Sequence, residues 1–273
     1  MSQESPTNYG GQIGFCVGTG RCGTTLFARL CDLEPTVAAS HERDRLGATF
    51  HMYCKWNSIP VDHEGFLATR EELVRADLER HAVSIESSAL LSHSIIELHS
   101  RFEAKLVLLI RDPAETVASF AARGWFVDTP TRHDASLPPS FRAGEKMRHF
   151  LGRNIPIGDE FERWKSLTQI GRIAWFWNAR NQAILNQFEQ LPSAHYQIQR
   201  IEDFDHEAYC RLAKFFGWVA TIEEPEFGEL AAARLNTGPS LPRKAETWSK
   251  VEVDQFKSEV DPVASTIGYE SML

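Results

Sequence analysis

Gln12-Ile-Gly-Phe-Cys-Val-Gly-Thr-Gly-Arg-Cys-Gly-Thr-Thr-Leu-Phe-Ala-Arg-Leu-Cys31 reads as three units in succession. Gln12 to Val17 is β-prone, Gly18 to Gly23 is a glycine-rich turn, and the apolar spacing from Thr24 to Cys31 is helical. Such a turn aims backbone N–H groups and the positive end of a helix at an anion, so the stretch predicts a phosphate-type loop. Its glycines and hydroxyls are similar to the GxxxxGK(S/T) pattern. Where that pattern has lysine after the second glycine, this chain has Thr24, and its basic residue Arg21 sits inside the turn.

Outward from this unit, strands and helices alternate. Pro35 ends the first helix, Thr36 to Ala39 predicts a second strand, and Ser40-His-Glu-Arg-Asp44 lies just beyond its carboxyl end, where open α/β sheets bind ligands. Thr69 to Arg80 reads as an amphipathic helix, Ala82 to Glu86 as a strand, and Leu90 to Phe102 as a further helix. Lys105-Leu-Val-Leu-Leu-Ile110 is a continuous apolar run, as expected of a strand covered on both faces; it ends in Arg111-Asp-Pro113 before a helix from Ala114 to Arg123.

The pattern then breaks into a Pro-, Gly- and charge-rich stretch, expected to be a variable lid or acceptor loop at about 124–160. Helical periodicity returns from Phe161 to Leu191, His195 to Ile201 reads as a strand and His206 to Phe216 as a helix. The tail from Asn236 is loop-like, with a short helix at Val253 to Val260. The expected class is α/β: one three-layer, P-loop-like domain over 1–273, with a central, mainly parallel sheet flanked by helices.

Composition narrows the functions. A net charge of −8 argues against a nucleic-acid binder, since phosphate backbones demand clustered Lys and Arg, and an anionic ligand therefore needs a local basic pocket. The start lacks the basic and apolar stretches of a signal peptide and no apolar run reaches spanning length, so no membrane partner and a cytoplasmic location are expected. Five cysteines, odd in number and without CxxC spacing, read as thiols; without HExxH or HxH clusters, no metal is expected.

Gly18-Thr-Gly-Arg-Cys-Gly-Thr-Thr25 resembles the 5′-phosphosulfate loop of sulfotransferases that use 3′-phosphoadenosine 5′-phosphosulfate (PAPS), commonly G-x-x-(K/R)-(S/T)-G-T-T, with Cys22 in place of Ser or Thr. Leu108-Leu-Ile-Arg-Asp-Pro113 with Ser119 is similar to that family's 3′-phosphate signature. Gln199-Arg-Ile-Glu-Asp-Phe204 resembles its RYEDL element, and Pro239 to Gly268 its C-terminal basic loop, tryptophan and LGY-like close. The resemblance implies transfer of a sulfuryl group from PAPS to a hydroxyl- or amine-bearing acceptor by in-line displacement, with a general base. It implies donor contacts from Gly20, Arg21, Cys22, Gly23, Thr24, Thr25, Arg111, Ser119, Arg243 and Lys244. In the tyrosylprotein sulfotransferases and their relatives, a glutamate base follows the first loop after a proline turn and a short strand; Glu42 matches that place, with His41 as competitor.

The residues support this chemistry directly. Arg111 offers a planar fork for two phosphate oxygens and Ser119 a hydroxyl for the same group, while Arg21 suits the charge that develops on a leaving phosphate. Cys22 reads as a space-filling substitute for a hydroxyl residue. Glu86, at a strand end, is a further base or supporting candidate. His51, Tyr53 and Trp56 either line an acceptor pocket or pack; Trp175, Trp177 and Trp248 read as packing. Two rival functions share the loop. A P-loop small-molecule kinase lacks its lysine at Thr24 and a magnesium-ligating acidic strand end, and a non-catalytic nucleotide-binding module would keep Arg111 and Ser119 without turnover.

Overall fold

The computed structural model describes residues 9–128, 153–233 and 245–269. The opening strand β1 (Gln12–Val17) passes through the glycine turn into α1 (Thr24–Asp32), as its sequence predicts. The second strand β2 (Val37–His41) is longer than expected. Its register against the third strand pairs Val37 with Val83 and His41 with Ser87, so His41 is the last strand residue and the turn starts at Glu42. The helix α2 (Arg45–Trp56) escaped the sequence reading, although Asp44 caps it by accepting from Gly47 N and Ala48 and Met52 form its buried stripe. Then come α3 (His63–Leu78), β3 (Val83–Ser87), a 3-10 turn at Ala89–Leu91, α4 (Ile95–Phe102), β4 (Lys105–Ile110) and α5 (Pro113–Ala121).

The helical stretch expected over 161–191 is two helices, α6 (Asp159–Ser166) and α7 (Gln169–Phe188), because Leu167 is extended and Thr168 caps a new start by accepting from Gly171 N. β5 (Tyr196–Arg200) and α8 (His206–Phe216) follow as read. α9 (Glu224–Ala232) was also missed, despite Pro in its first turn beside Glu224 and Glu226. α10 (Lys250–Thr266) is more than twice the length expected. Pro262 does not stop it, since the neighbouring Val263 N donates to Asn178 Oδ1 of α7 at 3.1 Å.

Among the described residues five strands form one parallel sheet in the order β2-β3-β1-β4-β5. Successive connections therefore leave β1 in opposite directions, which opens a crevice at its carboxyl end, above Gly18 to Gly23. Period-2 alternation divides the apolar run of β4 between two cores: Leu106, Leu108 and Ile110 face a cluster with α4, α5, α7 and α10, and Val107 and Leu109 face one with α1, α8 and α9. Helices cover both faces, which makes three layers and explains why that run is unbroken by polar residues. All five cysteines are free thiols, and among the described residues no helix is long and apolar enough to cross a membrane.

Candidate active site

Backbone geometry shapes the loop as a cradle of N–H groups. Gly20 (φ 84°), Arg21 (φ 62°) and Gly23 (φ 94°) are left-handed, which turns successive N–H groups inward, and among the described residues no side chain caps the N-terminus of α1. Gly23 is required twice over. Its φ disfavours a Cβ, and one placed there would lie 2.4 Å from Ile201 Cδ1. Cys22 is fully buried, and a Cβ at Gly18 would come within 2.5 Å of its sulfur, so that thiol fills the space beneath the loop. Burial pushes the thiol pKa up, which keeps it protonated and unsuited to nucleophilic work.

A serine cluster after β3 holds the loop from below. Ser92 Oγ donates to Gly18 O at 2.7 Å, Ser87 Oγ to Thr24 O at 2.9 Å, and Ser88 N to Cys16 O at 2.8 Å. These serines are buried, and the run Ser87-Ser88…Ser92…Ser94 inside apolar sequence was the signal available for them.

The two predicted donor motifs meet. Arg21 Nε donates to Ser119 Oγ at 2.9 Å, across 98 positions of sequence, and Arg111 Nη1 donates to Arg21 O at 3.4 Å while Nη2 pairs with Glu115 at 3.1 Å. Arg21, Arg111 and Ser119 thus border one basic patch. Arg123, which no motif singled out, joins it. Burial, then Arg123, then Arg111, holds the Arg21 guanidinium down at about 10. The turn carrying Arg111 is fixed by Glu202, which accepts from Asp112 N at 2.7 Å and from Tyr269 OH at 2.8 Å. Glu202 lies in the stretch Gln199 to Phe204 and gives that element a physical task.

At the end of β2, His41 Nε2 lies 3.3 Å from both Thr24 Oγ1 and Thr25 Oγ1. Burial lowers its pKa, against a smaller pull upward from Glu42, so the imidazole is neutral at physiological pH. Glu42 is left-handed (φ 52°), and its carboxylate faces Arg45, an exposed partner, at 3.2 Å. Glu86 is buried below them, with its pKa raised by that burial, which fits a supporting place better than contact with an acceptor.

His51 belongs to packing rather than to an open pocket. It bonds Ser94 Oγ (3.0 Å) and His63 Nδ1 (2.9 Å) and stacks on Phe66. Trp56 is half-buried, donating to Ile155 O at 2.8 Å, and Tyr53 is half-buried beside it on α2; Trp175, Trp177 and Trp248 are buried. Behind the loop, the buried Arg180 donates to Ala89 O at 3.2 Å and to Asn154 Oδ1, which also faces His93. Arg243 and Lys244, and most of the proposed lid (129–152), lie outside the described residues. Among the described residues, no group of three or more His, Cys, Asp or Glu is placed to hold a metal ion.

The buried imidazoles make stability pH-dependent. His93 is held down to about 3 and His51 to about 4, mainly by burial, against 6.5 for the free side chain. A folded pKa below the unfolded one means that the unfolded chain binds the proton first, so the stability is whole above pH 6.5 and drains as pH falls. From pH 6.5 to 5 each imidazole should cost about 2 kcal/mol. Urea unfolding of wild type and His93→Gln should show their stability difference shrinking by that amount over this interval; a constant difference would mean that His93 takes up its proton as readily in the fold as in the unfolded chain.

No protein-family model matches the chain, and no curated protein sequence does either. Among solved structures, a sulfotransferase domain from the curacin biosynthetic pathway matches at 15% identity over 97% of this chain and 99% of that one, with a TM-score of 0.53. A sulfotransferase domain from the olefin synthase of Synechococcus PCC 7002 matches at 14% identity over 99% of both chains, with a TM-score of 0.46. The first likeness establishes the fold: the chain is built as a sulfotransferase domain is built.

Proposed function

We propose that the protein is a PAPS-dependent sulfotransferase acting on a hydroxyl- or amine-bearing acceptor. The observation that carries the reading is the 2.9 Å bond from Arg21 to Ser119, with Arg111 on the Arg21 carbonyl. It joins a phosphate-type loop lacking the Walker lysine to a second anion-binding strand end, as a donor with a 5′-phosphosulfate and a separate 3′-phosphate requires. The loop amides and Arg21 receive the phosphosulfate; Arg111 and Ser119 receive the 3′-phosphate. The acceptor oxygen or nitrogen forms a bond to sulfur as the bond from sulfur to the phosphate oxygen breaks. The acceptor's proton goes to Glu42, and 3′,5′-adenosine bisphosphate leaves with its new charge facing Arg21. His41, already on the hydroxyls of Thr24 and Thr25, orients them.

Donor choice tests this reading. Adenosine 5′-phosphosulfate lacks the 3′-phosphate, and losing one charge-assisted and one neutral contact costs roughly 2.5–4 kcal/mol, or about 10²- to 10³-fold in kcat/KM. Arg111→Ala should erase most of the preference by weakening PAPS alone. Equal losses for both donors in the variant would mean that Arg111 supports the fold instead.

The kinase alternative makes an opposite forecast. Transfer should survive a chelator, because sulfuryl carries less charge than phosphoryl and Arg21 with the loop amides meets it. Thermal stabilisation should come from 3′,5′-adenosine bisphosphate without magnesium and not from ATP with it. Turnover abolished by chelation and restored by magnesium would replace the sulfotransferase reading with a kinase.

A further inference from the structure

Arg70 sits in the middle of the buried face of α3, beside Phe66, Leu67 and Val74, with no exposed surface. Burying a guanidinium is unfavourable unless the charge is paired and its N–H groups are used. Yet among the described residues its Nε, Nη1 and Nη2 have no hydrogen-bond partner. Two carboxylates face it instead: Glu86 Oε2 lies 3.8 Å from Nε and Asp44 Oδ2 lies 3.8 Å from Nη1. Its guanidinium carbon lies 4.2 Å from the centroid of the Phe66 ring, on which His51 also stacks.

Those carboxylates bracket the turn that carries His41 and Glu42. Glu86 of β3 pairs in register with Ser40 of β2, and Asp44 stands two residues after Glu42. Within that turn Glu42 (φ 52°) and Asp44 (φ 41°) are both left-handed. Residues with a Cβ hold this conformation only where their surroundings enforce it. Glu42 N donates to Ser87 O at 3.1 Å. Arg43 binds Ser40 Oγ and pairs with Asp77 of α3 at 2.6 Å. The Asp44 carboxylate accepts from Gly47 N at 3.1 Å and turns its remaining field toward Arg70. Helix α3 thus reaches the turn through two arginine–carboxylate contacts, Arg43–Asp77 and Arg70–Asp44.

We infer that Arg70 is a positioning residue: one buried guanidinium, shared by Glu86 on β3 and Asp44 in the turn, holds the left-handed turn so that Glu42 and His41 face the phosphate loop. The catalytic half of this inference rests on the proposed role of Glu42.

Three variants test it: Arg70→Met, Arg70→Lys and Asp44→Asn. Asn caps a helix as well as Asp, so Asp44→Asn removes the charge facing Arg70 and keeps the bond to Gly47 N. Amide hydrogen exchange, measured without any donor, should rise about tenfold or more over residues 42–47 in Arg70→Met and Asp44→Asn and stay unchanged in β1 and β4. Turnover with PAPS should fall by about 10- to 10²-fold, the usual consequence of a small misplacement of a reacting group, while the Kd of 3′,5′-adenosine bisphosphate rises by a clearly smaller factor, through His41 alone. Arg70→Lys should recover part of the turnover. Should Arg70→Met fail to fold, Asp44→Asn and Arg70→Lys carry the test. Wild-type exchange over 42–47 in a folded variant, or bisphosphate binding lost in step with turnover, overturns the inference. Raised exchange over 42–47, with no sulfuryl transfer even in the wild type, upholds the positioning role and rejects the sulfotransferase reading instead.

Discussion

Arg21→Ala is expected to lower sulfuryl transfer by about 10³-fold while leaving the melting temperature of the ligand-free protein unchanged or slightly higher. The catalytic loss follows from removing a preorganised cation at the point where charge develops on the leaving phosphate; one such donor commonly contributes 10²- to 10³-fold, and an arginine at a transferring phosphoryl group more. The stability forecast follows from the patch itself. Arg21 is half-buried, and burial, Arg123 and Arg111 together hold its pKa at about 10, below that of a free guanidinium. A depressed cation pKa means that the folded state binds this proton less tightly than the unfolded chain, so at neutral pH the charge opposes folding until an anion arrives. Alanine removes that opposition and inherits the same left-handed backbone. Steady-state kinetics beside thermal unfolding decides the matter: a lost activity that comes with a clear fall in melting temperature would make Arg21 a structural residue.

The second large effect belongs to Glu42. Glu42→Gln keeps size and shape but cannot take a proton, and kcat should fall by about 10²- to 10⁴-fold with bisphosphate affinity unchanged. His41→Asn should show the converse balance, weaker bisphosphate binding with a smaller fall in kcat, because its ring contacts the loop hydroxyls of Thr24 and Thr25. If kcat collapsed in His41→Asn and survived in Glu42→Gln, the proton acceptor would be His41. Both variants need only isothermal binding and single-turnover assays to separate the two roles.

The parts of the site legible in the sequence are those that depend on neighbours along the chain. Gly18 to Gly23 between a β-prone run and a helical one dictates a left-handed, N–H-lined loop, since φ and the helix start are local properties. Lys105 to Ile110 announces a strand covered on both faces, and the Arg111-Asp-Pro113 stop announces the turn into the helix that carries Ser119. Periodicity failed where burial is unusual. α2 carries Phe50 and Leu46 on its exposed side and buries His51 and Thr49, so its polar and apolar residues do not sort by face.

Contacts between distant residues were beyond reach of any such reading. Nothing along the chain brings Arg21 onto Ser119, adds Arg123 to the same patch, sets Glu202 against Asp112, or sinks Arg70 beneath the His41–Glu42 turn. Those pairings arise from strand order and from the helices it positions: β1 lies between β3 and β4, so the strand ends at Val17, Ser87 and Ile110 converge although they lie far apart in the sequence. The sequence by itself determined that this protein folds as a parallel α/β sheet with a left-handed glycine loop opening a helix at Gly18 to Gly23, because backbone conformation and apolar period are written locally. Only the tertiary structure decided which charges share that crevice, because electrostatic company is a matter of distance in space.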